Sequence, residues 1–275
     1  MGIPFTHHII PVEVTINGEY RGVYAFTEHK EGGPHRMNVG EDGLILTFDA
    51  SFDEEWQFKS SNLHLPVLIE YPKDENMNAA KFSKIQSDFE EFEKYLKGSF
   101  PNDKYSEYFD VYSFVDYLIV NDLTFNLEIF HPKSVYVNKL SGGKYRMGII
   151  WDFDYGFGYA NDNTHYDMEV VNKTLLPTSS SAGSYFFNTI MKDKRVKKLY
   201  AERWTWFRNL KYETLKQYIL NYAEVIRLGY ENDHERWGPR DSSDDLDVDI
   251  QRLLTWLDAR AQFMDEQAAQ YLAIQ

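Results

Sequence analysis

In the stretch "PVEVTINGEYRGVYAFTEH" apolar and polar positions alternate, with Val12, Val14 and Ile16 interleaved by Glu13 and Thr15. A period of two predicts a strand, and Asn17-Gly18 is the two-residue turn that closes a β-hairpin. "DGLILTFD" and "HLPVLIEY" are further apolar runs of strand length. The first seventy-odd residues therefore read as a small antiparallel β region. The period then changes. In "AAKFSKIQSDFEEFEKYLK" the positions Phe82, Ile85, Phe89, Phe92 and Leu96 step by three and four, which predicts an amphipathic helix. "DVYSFVDYLIVNDL" is apolar on most sides, as a buried helix would be, with Asp110 placed to cap its start. Two strand-like segments follow, "KSVYVNK" and "KYRMGIIWDFD", joined by "LSGG". From about Ser184 onward the pattern is mainly helical. The last helix carries Ile250, Leu253, Leu254, Leu257 and Ala261 on one face. The acidic run before it, "DSSDDLDVD", suits the start of a helix dipole.

The outline is an α+β chain: a β-rich N-lobe over residues 1–75 and a mainly helical C-lobe over 76–275, forming one structural unit. At 275 residues and 43% hydrophobic, it can bury a substantial core. The formal charge of −14 argues against nucleic acid, whose recognition needs a broad basic face. There is no cysteine, which excludes disulfides, thiolate metal sites and a cysteine nucleophile. No apolar run has the length of a membrane helix, so no membrane segment is expected in this chain. "MGIPFTHHII" lacks the pattern of a signal peptide. Its abrupt entry into a strand suggests a piece of a longer, exported or cell-surface protein; the compartment itself is not readable.

The chemistry concentrates in "GIIWDFDYGFG". Residues two apart share a face in an extended segment, so Asp152 and Asp154 would point together and Trp151 and Phe153 the other way. Paired carboxylates repel unless a cation lies between or near them, and Mg²⁺ is typically held by one or two carboxylates plus phosphate oxygens. Gly156 and Gly158 would let the backbone turn and approach a ligand. The plainer alternative is that these aspartates end a strand and cap a turn.

Three ordered segments, "NGEYRGVYAFTEH", "FVDYLIVNDLTFNLEIFHPKSVYVNK" and "WDFDYGFG", resemble the spore-coat-protein-H (CotH) kinase family. The closing "LLTWLDARAQFMDEQ" is similar to that family's final helix, and "HPKS" resembles the branch common in Bacteroides-type bacteria. The resemblance implies an atypical protein-kinase-like, two-lobed fold that uses ATP and Mg²⁺ or Mn²⁺ to phosphorylate Ser or Thr on a protein substrate. It puts Asp152 at the metal-binding position, with Asp154 contributing. It makes Glu128, where the family often has aspartate in N-x-D, the carboxylate that meets the substrate hydroxyl. Lys133 would reach the transferring phosphate, or is a solvated hairpin residue. Asn126, like Asn121, would contact metal or phosphate, or serve as a cap; His131 shapes the loop. A lysine for the nucleotide phosphates is expected near "VLIEYPKDE", where Lys73 follows Glu70; Lys30 and Arg36 are other candidates. Two further readings stand beside the kinase. One is a pseudokinase or surface-associated binding module that keeps the fold. The other is a D-x-D glycosyl transferase, against which the missing alternation of strands and helices argues.

Overall fold

The Asn17-Gly18 turn forms as its sequence predicts, with φ of 53° and 82°, and joins β1 (Ile9–Ile16) to β2 (Glu19–Thr27). This hairpin is a two-stranded sheet of its own. The computed structural model describes residues 2–3, 5–98, 100–160, 164–177, 181–238 and 243–274. Of the acidic run before the last helix, Asp241 and Ser242 lie outside these. So do residues 161–163, beyond the WDFD segment.

A second, five-stranded sheet has the order β4-β5-β3-β6-β7, built from β3 (Leu44–Phe48), β4 (Gln57–Lys59), β5 (Pro66–Tyr71), β6 (Val135–Lys139) and β7 (Tyr145–Met147). Its neighbours are antiparallel. Strand pairing thus crosses residue 75: β3 pairs on one side with β5 and on the other with β6. Alternation along β3 and β6 sends Leu44, Leu46, Phe48, Val135 and Val137 into the main core with the helices. Ile45 and Tyr136 face a smaller cluster with Met37, Val39 and Ile149.

The helices follow the apolar spacing. Helix α1 (Ala79–Glu93) starts at Asn78, whose side chain accepts from Lys81 N, and buries Phe89 and Phe92. Leu96 sits in the short turn that ends it. After the single turn α2 (Tyr105–Tyr108) comes α3 (Val111–Thr124), capped by Asp110 as expected and buried along most of its length. Then follow α4 (Ala182–Ile190), α5 (Lys194–Leu210), α6 (Tyr212–Trp237) and α7 (Leu246–Leu272). Helix α6 receives the hairpin: Val23 N donates to Asp233 Oδ1 at 2.8 Å, and Trp237 Nε1 to Arg21 O at 3.0 Å. Asp245 caps α7, accepting from Asp247 N and Val248 N. Among the described residues no helix is long and apolar enough to cross a membrane.

One expectation is corrected here. The sequence predicts a single strand running through "KYRMGIIWDFD", but β7 ends at Met147. Gly148 turns at φ 114° and Asp152 sits at φ 64°, so the segment leaves the pleat before the aspartates. Asp152 and Asp154 are therefore not brought together by strand alternation.

Candidate active site

Helix α3 ends because Phe125 adopts a left-handed conformation, φ 50°, and turns the chain back on itself. Asn126 then organises the loop. Its Oδ1 accepts from Glu128 N at 3.2 Å, capping the short turn Leu127–Ile129. Its Nδ2 donates both to Asn121 Oδ1 and to the Asp152 carbonyl, each at 3.1 Å. Two backbone bonds continue this seam. Leu127 N donates to Tyr155 O, and Phe157 N to Thr124 O. The loop after α3 is thereby stitched to the WDFD loop. Lys133 N closes the first loop onto Glu128 O at 2.8 Å.

The strands supply the other wall. Ser134, just before β6, donates its hydroxyl to Asp152 Oδ2 at 3.1 Å. Its backbone N–H donates to Asp49 Oδ2 at 3.2 Å, and Asp49 follows directly on β3. Four carboxylates, those of Glu128, Asp152, Asp154 and Asp49, thus share a field with the Lys133 ammonium.

Their ionisation reflects it. Glu128 is 2% exposed, and its Oε2 has no hydrogen-bond partner among the described residues. Burial pushes its carboxyl up to about 7; Lys133 opposes the shift, while Asp152, Asp154 and Asp49 add to it. Asp152 is also raised, first by burial and then by Asp154, which shares a hydrogen bond with it and repels it; Ser134 and Lys133 pull the other way. Asp154 is exposed, and its Oδ1 accepts from Tyr155 N at 3.1 Å. The glycines that follow serve packing: a Cβ on Gly156 would sit 3.2 Å from Thr124 O, and one on Gly158 2.6 Å from Trp256 Nε1. They approach the chain itself, where a ligand was expected.

A family profile described as CotH kinase protein matches residues 1–264. The chain belongs to the CotH kinase family. No match was found among curated proteins.

In this CotH-family chain Asn126, Glu128, Lys133, Asp152 and Asp154 lie on two loops that are joined to each other. Lys73 does not join them. It stands at the start of the short turn after β5, without a side-chain capping bond, and among the described residues it forms no ion pair with them. The lysine that meets Glu70 is Lys30, at 3.8 Å; it also lies over the Tyr136 ring, 5.2 Å from its centre. Glu70 Oε1 accepts in turn from Thr47 Oγ1 at 2.7 Å. Thr47 is two residues before Asp49 and Tyr136 two after Ser134, so β3 and β6 connect this pair to the aspartates. His131 packs edge-on to Phe130, and burial lowers its pKa, in keeping with a role in loop shape.

Asp49 and Ser134 escaped the sequence reading. A signal for Asp49 was present: "LILTFD" ends an apolar strand in an aspartate just as "GIIWD" ends an apolar run. Ser134 stood within "HPKS" without an assigned role.

Proposed function

We propose that this chain is an ATP- and divalent-metal-dependent protein Ser/Thr kinase of the spore-coat-protein-H type, two-lobed in the kinase manner, and that its "HPKS" loop assigns it to the branch common in Bacteroides-type bacteria. The observation that carries the reading is Glu128: a buried carboxylate with one unpartnered oxygen, on a loop fastened through Asn126 to the loop of Asp152. Residues that act together in phosphoryl transfer need this kind of mutual fixing, because positioning supplies much of the catalysis.

Asp152 and Asp154 fit a divalent cation, since Asp154 raises the cost of ionising Asp152 and a cation would relieve it. Among the described residues no group of three His, Asp or Glu side chains is arranged to hold a metal. Two carboxylates with phosphate oxygens completing the shell is the mode that suits Mg²⁺ or Mn²⁺, so metal would bind mainly with nucleotide. When bound, the metal neutralises charge on the ATP phosphates. Glu128 orients the substrate hydroxyl and accepts its proton; Lys133 adds positive charge where the phosphoryl group passes. Asn126 acts by holding the two loops in register. Lys30, already paired with Glu70, is favoured over Lys73 for contacts to the nucleotide phosphates.

The second reading, a pseudokinase, draws on the same glutamate. Glutamate is one methylene longer than aspartate, and a carboxyl raised to about 7 is only partly ionised at neutral pH. A thermal-shift series with ATP, ADP and UDP-sugars, each with and without Mg²⁺ or Mn²⁺, separates the possibilities. The kinase reading expects metal-dependent stabilisation by ATP and none by UDP-sugars. Stabilisation by UDP-sugars alone would point to a glycosyl transferase, and no response to any nucleotide to a binding module.

A further inference from the structure

The turn that carries Glu128 has a second neighbour besides the WDFD loop: the first turn of α4, which comes from much further along the chain. Ser181, just before α4, donates its hydroxyl to the Phe130 carbonyl at 2.5 Å, and Ser184 N donates to the same carbonyl at 3.0 Å. Gly183 stands between these donors and is buried. A Cβ on it would sit 2.2 Å from Ile129 O and 2.7 Å from Phe130 O, closer than a side chain can stand to a backbone oxygen. Helix and loop therefore meet backbone to backbone, which glycine alone permits. What fixes α4 also fixes the rest of the site. Phe187 stacks on Phe114 and Tyr117 of α3, with ring centres 5.5 and 6.3 Å apart. Phe186 stands edge-on to Phe48 at 5.5 Å, and Phe48 ends β3 directly before Asp49. All five rings lie in the main core. Asn126 thus holds the start of the loop to the WDFD segment, and α4 holds its end. Glu128 lies between the two fastenings, and no donor among the described residues meets its Oε2. An oxygen without that anchor takes its place from the backbone that carries it.

We propose that Gly183 and Ser181 are positioning residues for Glu128: the first turn of α4 clamps the end of its loop and so sets where the carboxylate stands. Gly183 admits the close approach, and the Ser181 hydroxyl with Ser184 N holds it. Neither residue touches the reacting groups. A small displacement of a reacting carboxylate is enough to slow a transfer that depends on placement. That consequence rests on the kinase reading; the clamp itself does not.

The test follows two readouts on the whole chain: exchange of the Lys133 amide hydrogen, which is bonded to Glu128 O, and kcat and KM for transfer from ATP with Mn²⁺ to a Ser-rich protein. Gly183→Ala should speed that exchange by about tenfold or more, as for a local opening. It should lower kcat by about tenfold or more while KM for ATP stays within about twofold. Ser181→Ala should do the same to a lesser degree, and Ser181→Thr, which keeps the hydroxyl, should restore both. Ile190→Val loosens the buried far end of α4 without touching the loop, and should leave both readouts near wild type. Unchanged Lys133 exchange in Gly183→Ala would overturn the proposal. So would equal losses in Ile190→Val, or a raised KM for ATP with kcat unchanged. If Gly183→Ala does not fold, identical behaviour of Ser181→Ala and Ser181→Thr overturns it instead. If wild type transfers no phosphate, the kinase reading fails, and the Lys133 exchange decides the clamp by itself.

Discussion

Among the described residues no donor meets one carboxylate oxygen of Glu128, and this has a thermodynamic signature. Its ordinary pKa of 4.5 applies in the unfolded chain, and about 7 in the folded one. Between those values the folded state binds the extra proton. The group is therefore least costly to stability below the lower value, and the cost grows as pH rises, reaching its full size above about 7. Glu128→Gln should raise the melting temperature at about pH 8 and change it little at about pH 4. An equal shift at both pH values would mean that the ionised carboxylate is not the source. If Glu128 is the proton acceptor of the proposed kinase, the pH–rate profile should show an acid limb near 7, because only the ionised form accepts a proton. Asp152→Asn removes one of two repelling charges while nearly preserving shape. It should leave the fold intact, raise apo stability slightly and abolish metal-dependent ATP binding in calorimetry. Unchanged binding would move the metal elsewhere.

At the scale of elements, the helices were legible because their apolar spacing is local and strong: α1 and α3 follow the stripes read from the sequence, while α7 buries Leu257 and Ala261 of its stripe on a face that runs on through Trp256 and Met264. The hairpin was legible because Asn-Gly dictates its turn. What the pattern did not disclose was the end of β7, because an apolar run before an aspartate reads as strand whether or not a partner is there to pair with. It also passed over Arg260. This residue falls three positions after Leu257, on the buried face of α7, and is wholly buried. Its guanidinium pairs with Asp122 Oδ1 at 2.5 Å and donates to the carbonyls of Asp122, Val171 and Lys173, tying α7 to α3 and to the loop after the WDFD segment. A basic residue at a periodic apolar position was the available clue. Arg260→Met should cost about 3–5 kcal/mol in chemical denaturation, since it strands a buried carboxylate that the Tyr200 hydroxyl alone then satisfies. A loss below about 1 kcal/mol would show that the loop carbonyls find other donors.

Over the whole molecule, sequence and fold divide the information differently. The residues of the candidate site were legible as motifs, yet their convergence depends on strands far apart in the chain. Asp49 comes from one side of residue 75 and Ser134 from the other, and only the β3–β6 pairing sets them together. Lys73 was the natural candidate by proximity to Glu70 in sequence, whereas the fold brings Lys30 across from the segment after the hairpin. Long-range pairing of this kind has no local signature. The account as a whole rests on Glu128 and Asp152 working in one transfer reaction, and labelled phosphate transfer from ATP with Mn²⁺ to a Ser-rich protein tests it most directly. Wild type should transfer slowly but measurably. Glu128→Gln should lower the rate by about 10²-fold or more while nucleotide affinity holds, as for loss of a general acid–base group. Equal labelling by wild type and Glu128→Gln, or no ATP binding by wild type, would contradict the account.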